Sequence, residues 1–191
     1  MRVVQGPRRR RRRLTALPAD LPWPVLVAQH MPATFTSAFA QRLDRICDLS
    51  VREVRQATLL RPGHVHIAQG DVDMIVAQRP AGLIALPVPA SQAHRWHPSV
   101  DRMVASALNL MPANRQVSVL LTGMGDDGAN AMARLRAEGG HTIAQDEDTS
   151  IVWGMPGELV RRGGAVQLAP LPDIARHIVQ AVSRRLPQTC P

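Results

Sequence analysis

Residues Val117 to Gly128 read VSVLLTGMGDDG, a run of aliphatic and β-branched residues that breaks abruptly into glycines and acids. An apolar run without alternation fits a strand buried on both faces, as in a parallel sheet covered by helices. In open sheets of that kind ligands sit outside the carboxyl ends of the strands, so chemistry is expected in the loop from Gly123 onward. Gly123, Gly125 and Gly128 let its backbone approach a ligand closely. Asp126 or Asp127 can begin the helix AMARLRAE that follows. An aspartate there serves either as a helix N-cap or as a functional carboxylate, and the loop alone leaves both open.

A second loop of this type follows Val25 to Ala28, a short apolar run ending in Gln29-His30-Met31-Pro32. Pro32 drives Met31 toward extended backbone, which sets His30 in a defined turn at the strand's carboxyl edge. Taken alone, His30 reads as a loop histidine. Residues 34–45 then place Phe35, Ala38, Phe39 and Leu43 at helical spacing.

Between residues 51 and 86 the period shortens, with strands expected at 51–54, 64–68, 74–77 and 83–86 between turn-forming Pro62-Gly63, Gln69-Gly70-Asp71 and Pro80-Ala81-Gly82. His64 and His66 share one face of a strand; without an acid or cysteine at ligand spacing they read as solvent-facing rather than as a metal pair. His94 and His97 around Trp96 read the same way, in a polar loop. Pro98-Ser99 starts a helix over 100–110, His141 to Gln145 is a strand, and Asp146, Glu147 and Asp148 form a solvated loop. A short helix from Gly154-Met155-Pro156 to Gly163-Gly164, a strand at 166–168 and an amphipathic helix over 171–186 close the chain. This alternation predicts a doubly wound α/β fold, with a mainly parallel sheet, helices on both faces and a small β-rich insertion.

A chain of 191 residues with 45% hydrophobic content can bury one sizeable core. All 23 basic residues are arginine, and six of them form the run Arg8 to Arg13, without which the net charge of +8 falls to +2. The basicity is local and aromatic residues are only 3%, with no tyrosine, so nucleic acid is not an expected partner. The Arg run reads as the solvated first half of a surface helix that follows a scrap of strand at Val3-Val4. Cys47 and Cys190 suggest neither a disulfide framework nor a zinc site. No apolar run reaches the ~20 residues of a membrane span or the core of a secretory signal. A cytoplasmic protein with no membrane insertion, metal or cofactor is the expectation.

Six segments taken in order, VLVAQHMP, RPGHVHIA, HPSVD, VLLTGMGDDGA, TIAQDEDTS and GMP, resemble the catalytic domain of the chemotaxis protein-glutamate methylesterases over Leu14 to Leu186. The resemblance implies a serine esterase that hydrolyses glutamyl methyl esters on methyl-accepting chemoreceptors and often deamidates receptor glutamines. It divides the chain into an atypical Arg-rich start, residues 1–13, and a methylesterase-like domain, residues 14–191. The receiver domain that usually precedes this domain is not expected here, so a separate phosphorylatable receiver is an implied partner. His30 matches the family's catalytic histidine, Asp127 the aspartate that orients it and Met124 a residue lining the site, while Asp126 falls at a variable position. Such a pair has a clear chemistry: the imidazole takes a proton from a nucleophile, and the carboxylate fixes its tautomer and stabilises the imidazolium.

The departure lies at the nucleophile. The family's serine sits in a Gly-Ala-Ser-Thr-Gly-Gly-Pro loop directly after the first strand. Here Val3-Val4 matches the start of that strand and Gly6-Pro7 the end of the loop, with the serine segment missing between Val4 and Gln5. No serine occurs before Ser37 and no threonine before Thr15, and Ser37 falls in the predicted helix after QHMP. The alternative function is therefore a catalytically inactive domain that still docks on receptors.

Overall fold

The computed structural model describes residues 2–3 and 16–185. Its strands are β1 (Arg2–Val3), β2 (Val25–Ala28), β3 (Ser50–Val54), β4 (Thr58–Leu59), β5 (His64–Ala68), β6 (Asp73–Arg79), β7 (Gly82–Val88), β8 (Val117–Leu120), β9 (His141–Gln145) and β10 (Gln167–Ala169). The helices are α1 (Ala33–Asp44), α2 (Val100–Leu108), α3 (Ala129–Ala137), α4 (Met155–Arg161) and α5 (Ile174–Ser183). The helix reading of the Arg run, Val4, Cys190 and the end of the closing helix at Leu186 lie outside the described residues.

Two parallel sheets, β3-β5-β2-β1 and β8-β9-β10, meet where β1 lies beside β8. Their continuous order is β3-β5-β2-β1-β8-β9-β10. Alternate residues of each strand feed opposite cores. Val25, Val27, Val65, Ile67, Val117, Val119 and Ile143 pack with α1 and α5 on one face. Leu26, Ala28, Ala68, Leu120 and Ala144 pack with α2, α3 and α4 on the other. Both faces are dry, which is why the strands show apolar runs instead of alternation. The doubly wound α/β architecture is as the sequence predicts. No helix among the described residues is long and apolar enough to cross a membrane.

The β-rich insertion is smaller than its sequence pattern suggests. β3 and β5 belong to the parallel sheet, and only β4, β7 and β6 form the separate antiparallel one. Short period and turn residues mark strands but do not assign them to a sheet. Two further expectations change. Phe35 is 60% exposed, and α1 buries Thr36, Ala40 and Leu43 instead. Thr36 is turned inward by polar contacts, donating to Glu53 Oε1 at 2.5 Å and accepting from the Gly70 amide at 3.3 Å.

His66 is buried at 3% exposure, not solvent-facing, because the insertion and α2 cover that face of β5. Burial, with the neighbouring His64 adding, lowers its pKa to about 4. The unfolded chain, with an ordinary imidazole, therefore binds more protons than the native state as pH falls from the ordinary histidine pKa of 6.5 toward 4. Stability is complete above that window and lost on acidification through it. Urea unfolding at about pH 7 and about pH 4 should differ by roughly 3 kcal/mol from this group, and His66→Leu should remove that share. An acid dependence unchanged in the variant would assign it elsewhere.

Candidate active site

The strand order brings together loops that are distant in sequence. His30 leaves the carboxyl end of β2, and Asp127 ends the loop after β8, with β1 between the two strands. His30 Nε2 lies 2.8 Å from Asp127 Oδ2. A carboxylate can only accept, so Nε2 carries the proton and Nδ1 is the basic nitrogen of the neutral ring.

Asp127 is 6% exposed and is held from several sides. Oδ2 also accepts from the Val100 amide at 2.7 Å, and Oδ1 accepts from the Asp101 amide at 3.0 Å and the Ser99 hydroxyl at 3.1 Å. The carboxylate thus sits at the N-terminus of α2, whose unsatisfied amides and dipole favour a negative charge there. The N-cap reading of the aspartate is corrected in an informative way. α3, the helix Asp127 precedes in sequence, has Gly128 as its N-cap, and Asp127 serves the neighbouring helix instead. Gly128 is the residue required, with φ +92° and the position of a Cβ only 2.4 Å from Val100 Cγ1. Asp101, in the first turn of α2, accepts in turn from the Ala131 amide of α3 at 2.8 Å. Burial raises the Asp101 pKa, with the Asp127 charge acting in the same direction.

Several supporting residues carry no obvious sequence signal. Trp96 stacks on His30, with ring centroids 5.6 Å apart and an interplanar angle of 17°, while the Arg95 guanidinium lies 5.2 Å from the Trp96 ring. Trp96 also meets Gly125, where an added Cβ would come within 3.0 Å of its Nε1. Asp73, fully buried, accepts from His97 Nδ1 at 2.9 Å, the Ser99 amide at 2.7 Å, Arg102 Nη1 at 2.7 Å and the Ser91 amide at 3.1 Å. Burial alone would raise its pKa, but these hydrogen bonds outweigh it and the pKa is lowered. Asp73 ties the loop carrying Trp96 to the start of α2 and so positions what surrounds Asp127. His97 is a structural partner of Asp73 rather than a solvent-facing histidine. Only the spacing HRWHPS, a tryptophan beside a helix start, hinted at this role.

The loop after β8 is fastened to the one after β9. Thr122 Oγ1 donates to the Val152 carbonyl and accepts from the Ile151 and Val152 amides, and the Gly123 amide donates to the Val152 carbonyl at 3.0 Å. Met124, at 69% exposure, stands on this rim next to Ile151 and Val152, also exposed. Gly123 is buried and Gly125 half-buried. Asp146 caps its own loop, accepting from the Thr149 amide at 3.1 Å. Asp126 points outward, toward Arg162 at 3.2 Å.

On the other side, the loop after β5 closes on QHMP. A Cβ at Gly70 would lie 2.3 Å from the Met31 carbonyl oxygen and 2.5 Å from the Ala33 amide, while Asp71 Oδ2 accepts from that amide at 3.0 Å. Gly70→Ala is therefore expected to destabilise the fold by about 2–3 kcal/mol, since backbone and not a flexible side chain must move. A urea midpoint equal to that of the parent chain would show that the two loops are not in contact.

A doubly wound α/β domain with an imidazole paired to a buried carboxylate at the carboxyl edge of its sheet is the class that fold and site define. The family model described as CheB methylesterase matches residues 4–178, and the chain belongs to that family. It is 60% identical over 167 residues to "Protein-glutamate methylesterase/protein-glutamine glutaminase 2" of Rhodopseudomonas palustris (strain BisB18), covering 87% of this chain and 46% of that protein. It is 50% identical over 171 residues to "Protein-glutamate methylesterase/protein-glutamine glutaminase 3" of Rhodospirillum rubrum, covering 90% and 46%. The chain thus spans about half the length of these curated relatives. The crystal structure of the Thermotoga maritima CheB methylesterase catalytic domain superposes with a TM-score of 0.87 at 30% identity, covering 94% of this chain and 96% of that one.

Proposed function

We propose that this chain is the catalytic portion of a protein-glutamate methylesterase, with His30 as the general base and acid, Asp127 as its orienting carboxylate, and Gly123, Met124 and Gly125 lining the substrate site. The substrate we assign is a glutamyl methyl ester on a methyl-accepting chemoreceptor, with glutamine deamidation as the related reaction. The cytoplasm is the compartment, in line with a cysteine spacing that suggests no disulfide framework. We also propose residues 14–191 as the methylesterase-like unit, with residues 1–13 an atypical stretch before it, and a phosphorylatable receiver as a partner. The observation that carries the reading is the 2.8 Å contact between His30 and an Asp127 already anchored by α2.

In this arrangement Nδ1 of His30 removes the proton of the attacking hydroxyl as its oxygen bonds to the ester carbon. The imidazolium, stabilised by Asp127, then delivers that proton to the departing methoxide, and methanol leaves. When the attacking group is a serine, a second cycle with water frees the glutamate.

The second reading, a catalytically inactive domain that docks on receptors, starts from the sequence. Residues 1–14 hold no serine, threonine or cysteine, so no nucleophilic side chain occupies the family's position in this sequence. There the pair can activate water only. Methanol release from a methylated chemoreceptor, measured for this chain and for His30→Ala, separates the accounts. Slow release that disappears with His30→Ala supports the pair as catalytic; release unchanged in the variant removes it. Receptor binding without any His30-dependent release leaves docking as the function.

A further inference from the structure

The end of the sheet opposite His30 carries a second concave site. Its wall is assembled from separate elements. Arg115 comes from the turn before β8, His141 opens β9, Gln167 opens β10, and His177, Arg184 and Arg185 come from α5 and its end. They surround a cavity of about 470 Å³, within the range of small-ligand sites. No aspartate or glutamate is among its described lining residues. None of the ion pairs among the described residues includes Arg115, Arg184 or Arg185. Arg185 Nη1 donates to the Ala181 carbonyl at 3.1 Å.

Among the described residues the charges lining this cavity are all positive. Burial, and next the charge of Arg185, hold the His141 imidazole below its ordinary pKa, with Arg184 and His177 adding to the effect and a Gln167 hydrogen bond opposing it. The Gln167 side-chain nitrogen lies 2.7 Å from His177 Nδ1 and 3.2 Å from its Nε2. A simpler reading is available for part of the cluster: Arg184 and Arg185 close α5, where cations offset the helix dipole. It does not cover Arg115 or His141, which reach the same cavity from the edge of the parallel sheet.

We propose that this cavity binds a small phosphate ligand carrying two or more negative charges, of the diphosphate class. Arginine forks match phosphate oxygens with paired hydrogen bonds, and Arg115, Arg184 and Arg185 supply them from different sides. The imidazoles of His141 and His177 line the same cavity. The site is separate from the ester site, because β9 alone, from His141 to Gln145, spans roughly 13 Å of the distance between the two ends of the sheet. A bound anion here does not compete with substrate at His30.

Inorganic pyrophosphate titrated into the full chain, with the histidine ring signals followed by NMR, tests the assignment. Because the run Arg8 to Arg13 attracts polyanions by itself, the titration is repeated with those six residues replaced by serine. The His141 and His177 signals are expected to move saturably in both proteins. Arg115→Gln and Arg184→Gln, checked for an unchanged circular-dichroism spectrum, should each weaken binding about tenfold, as for a lost charge-assisted hydrogen bond. The proposal is overturned if the signals do not move at millimolar pyrophosphate, if the response vanishes with the Arg run, or if both Gln variants bind as the parent does. Citrate binding as tightly as pyrophosphate would overturn the choice of phosphate.

Discussion

Insertion of a Gly-Ala-Ser-Thr-Gly-Gly segment between Val4 and Gln5 is expected to raise methanol release from a methylated chemoreceptor by about a thousandfold or more, and His30→Ala should abolish the gain. The strand order gives the reason. β1 lies between β2 and β8, with Val3 in register with Ala28, only two residues before His30. A loop springing from the carboxyl end of β1 enters the site between the imidazole and the Asp127 loop, where the sheet order reverses and ligands bind in folds of this kind. The inserted serine then attacks as a side chain already in place, which replaces a bimolecular encounter with water by an intramolecular one. A folded insertion variant with no increase in rate would show that this edge of the sheet does not host the nucleophile, and the docking function would become the better account.

Asp127→Asn in the chain carrying that insertion is expected to lower the rate about ten-thousandfold, the order associated with an amide in place of a triad carboxylate. The amide lets the imidazole adopt the wrong tautomer and removes the charge that stabilises the imidazolium. It also puts a donor where Val100, Asp101 and Ser99 all donate, so a fall in unfolding free energy of about 1–3 kcal/mol should accompany the loss. Ser99→Ala is the control for stability alone: it removes one donor to Oδ1 and leaves the 2.8 Å His30 contact in place. Near-normal turnover in Asp127→Asn would mean that the short contact to His30 has no part in the reaction.

Local sequence was informative wherever it reported on burial or on turn chemistry. The apolar runs at Val25–Ala28 and, interrupted by the buried Ser118, at Val117–Leu120 mark strands covered on both sides, and both lie in parallel sheets with no exposed residue. The alternating pattern at His64 to Ala68 was ambiguous, because period 2 shows that two imidazoles share a face but not what covers it. In the folded chain α2 and the antiparallel insertion cover it, and His66 is dry. Phe35 failed for a related reason. Helical spacing gives the angle between side chains, while the contacts of Thr36 with Glu53 and Gly70, residues far along the chain, set the rotation of α1.

The sequence by itself determined the class of fold, the glycine loop and QHMP as strand-end loops, and the family through six ordered segments. It left open whether Asp127 caps a helix or serves a histidine. Only the tertiary structure decided that it does both, by placing the N-terminus of α2 behind a carboxylate that precedes α3. The same holds for Trp96 against His30, Asp73 beneath the α2 start, and the arginines gathered at the far edge. Each of these depends on which strands are neighbours, and strand order is fixed by long-range packing that no local window of residues contains.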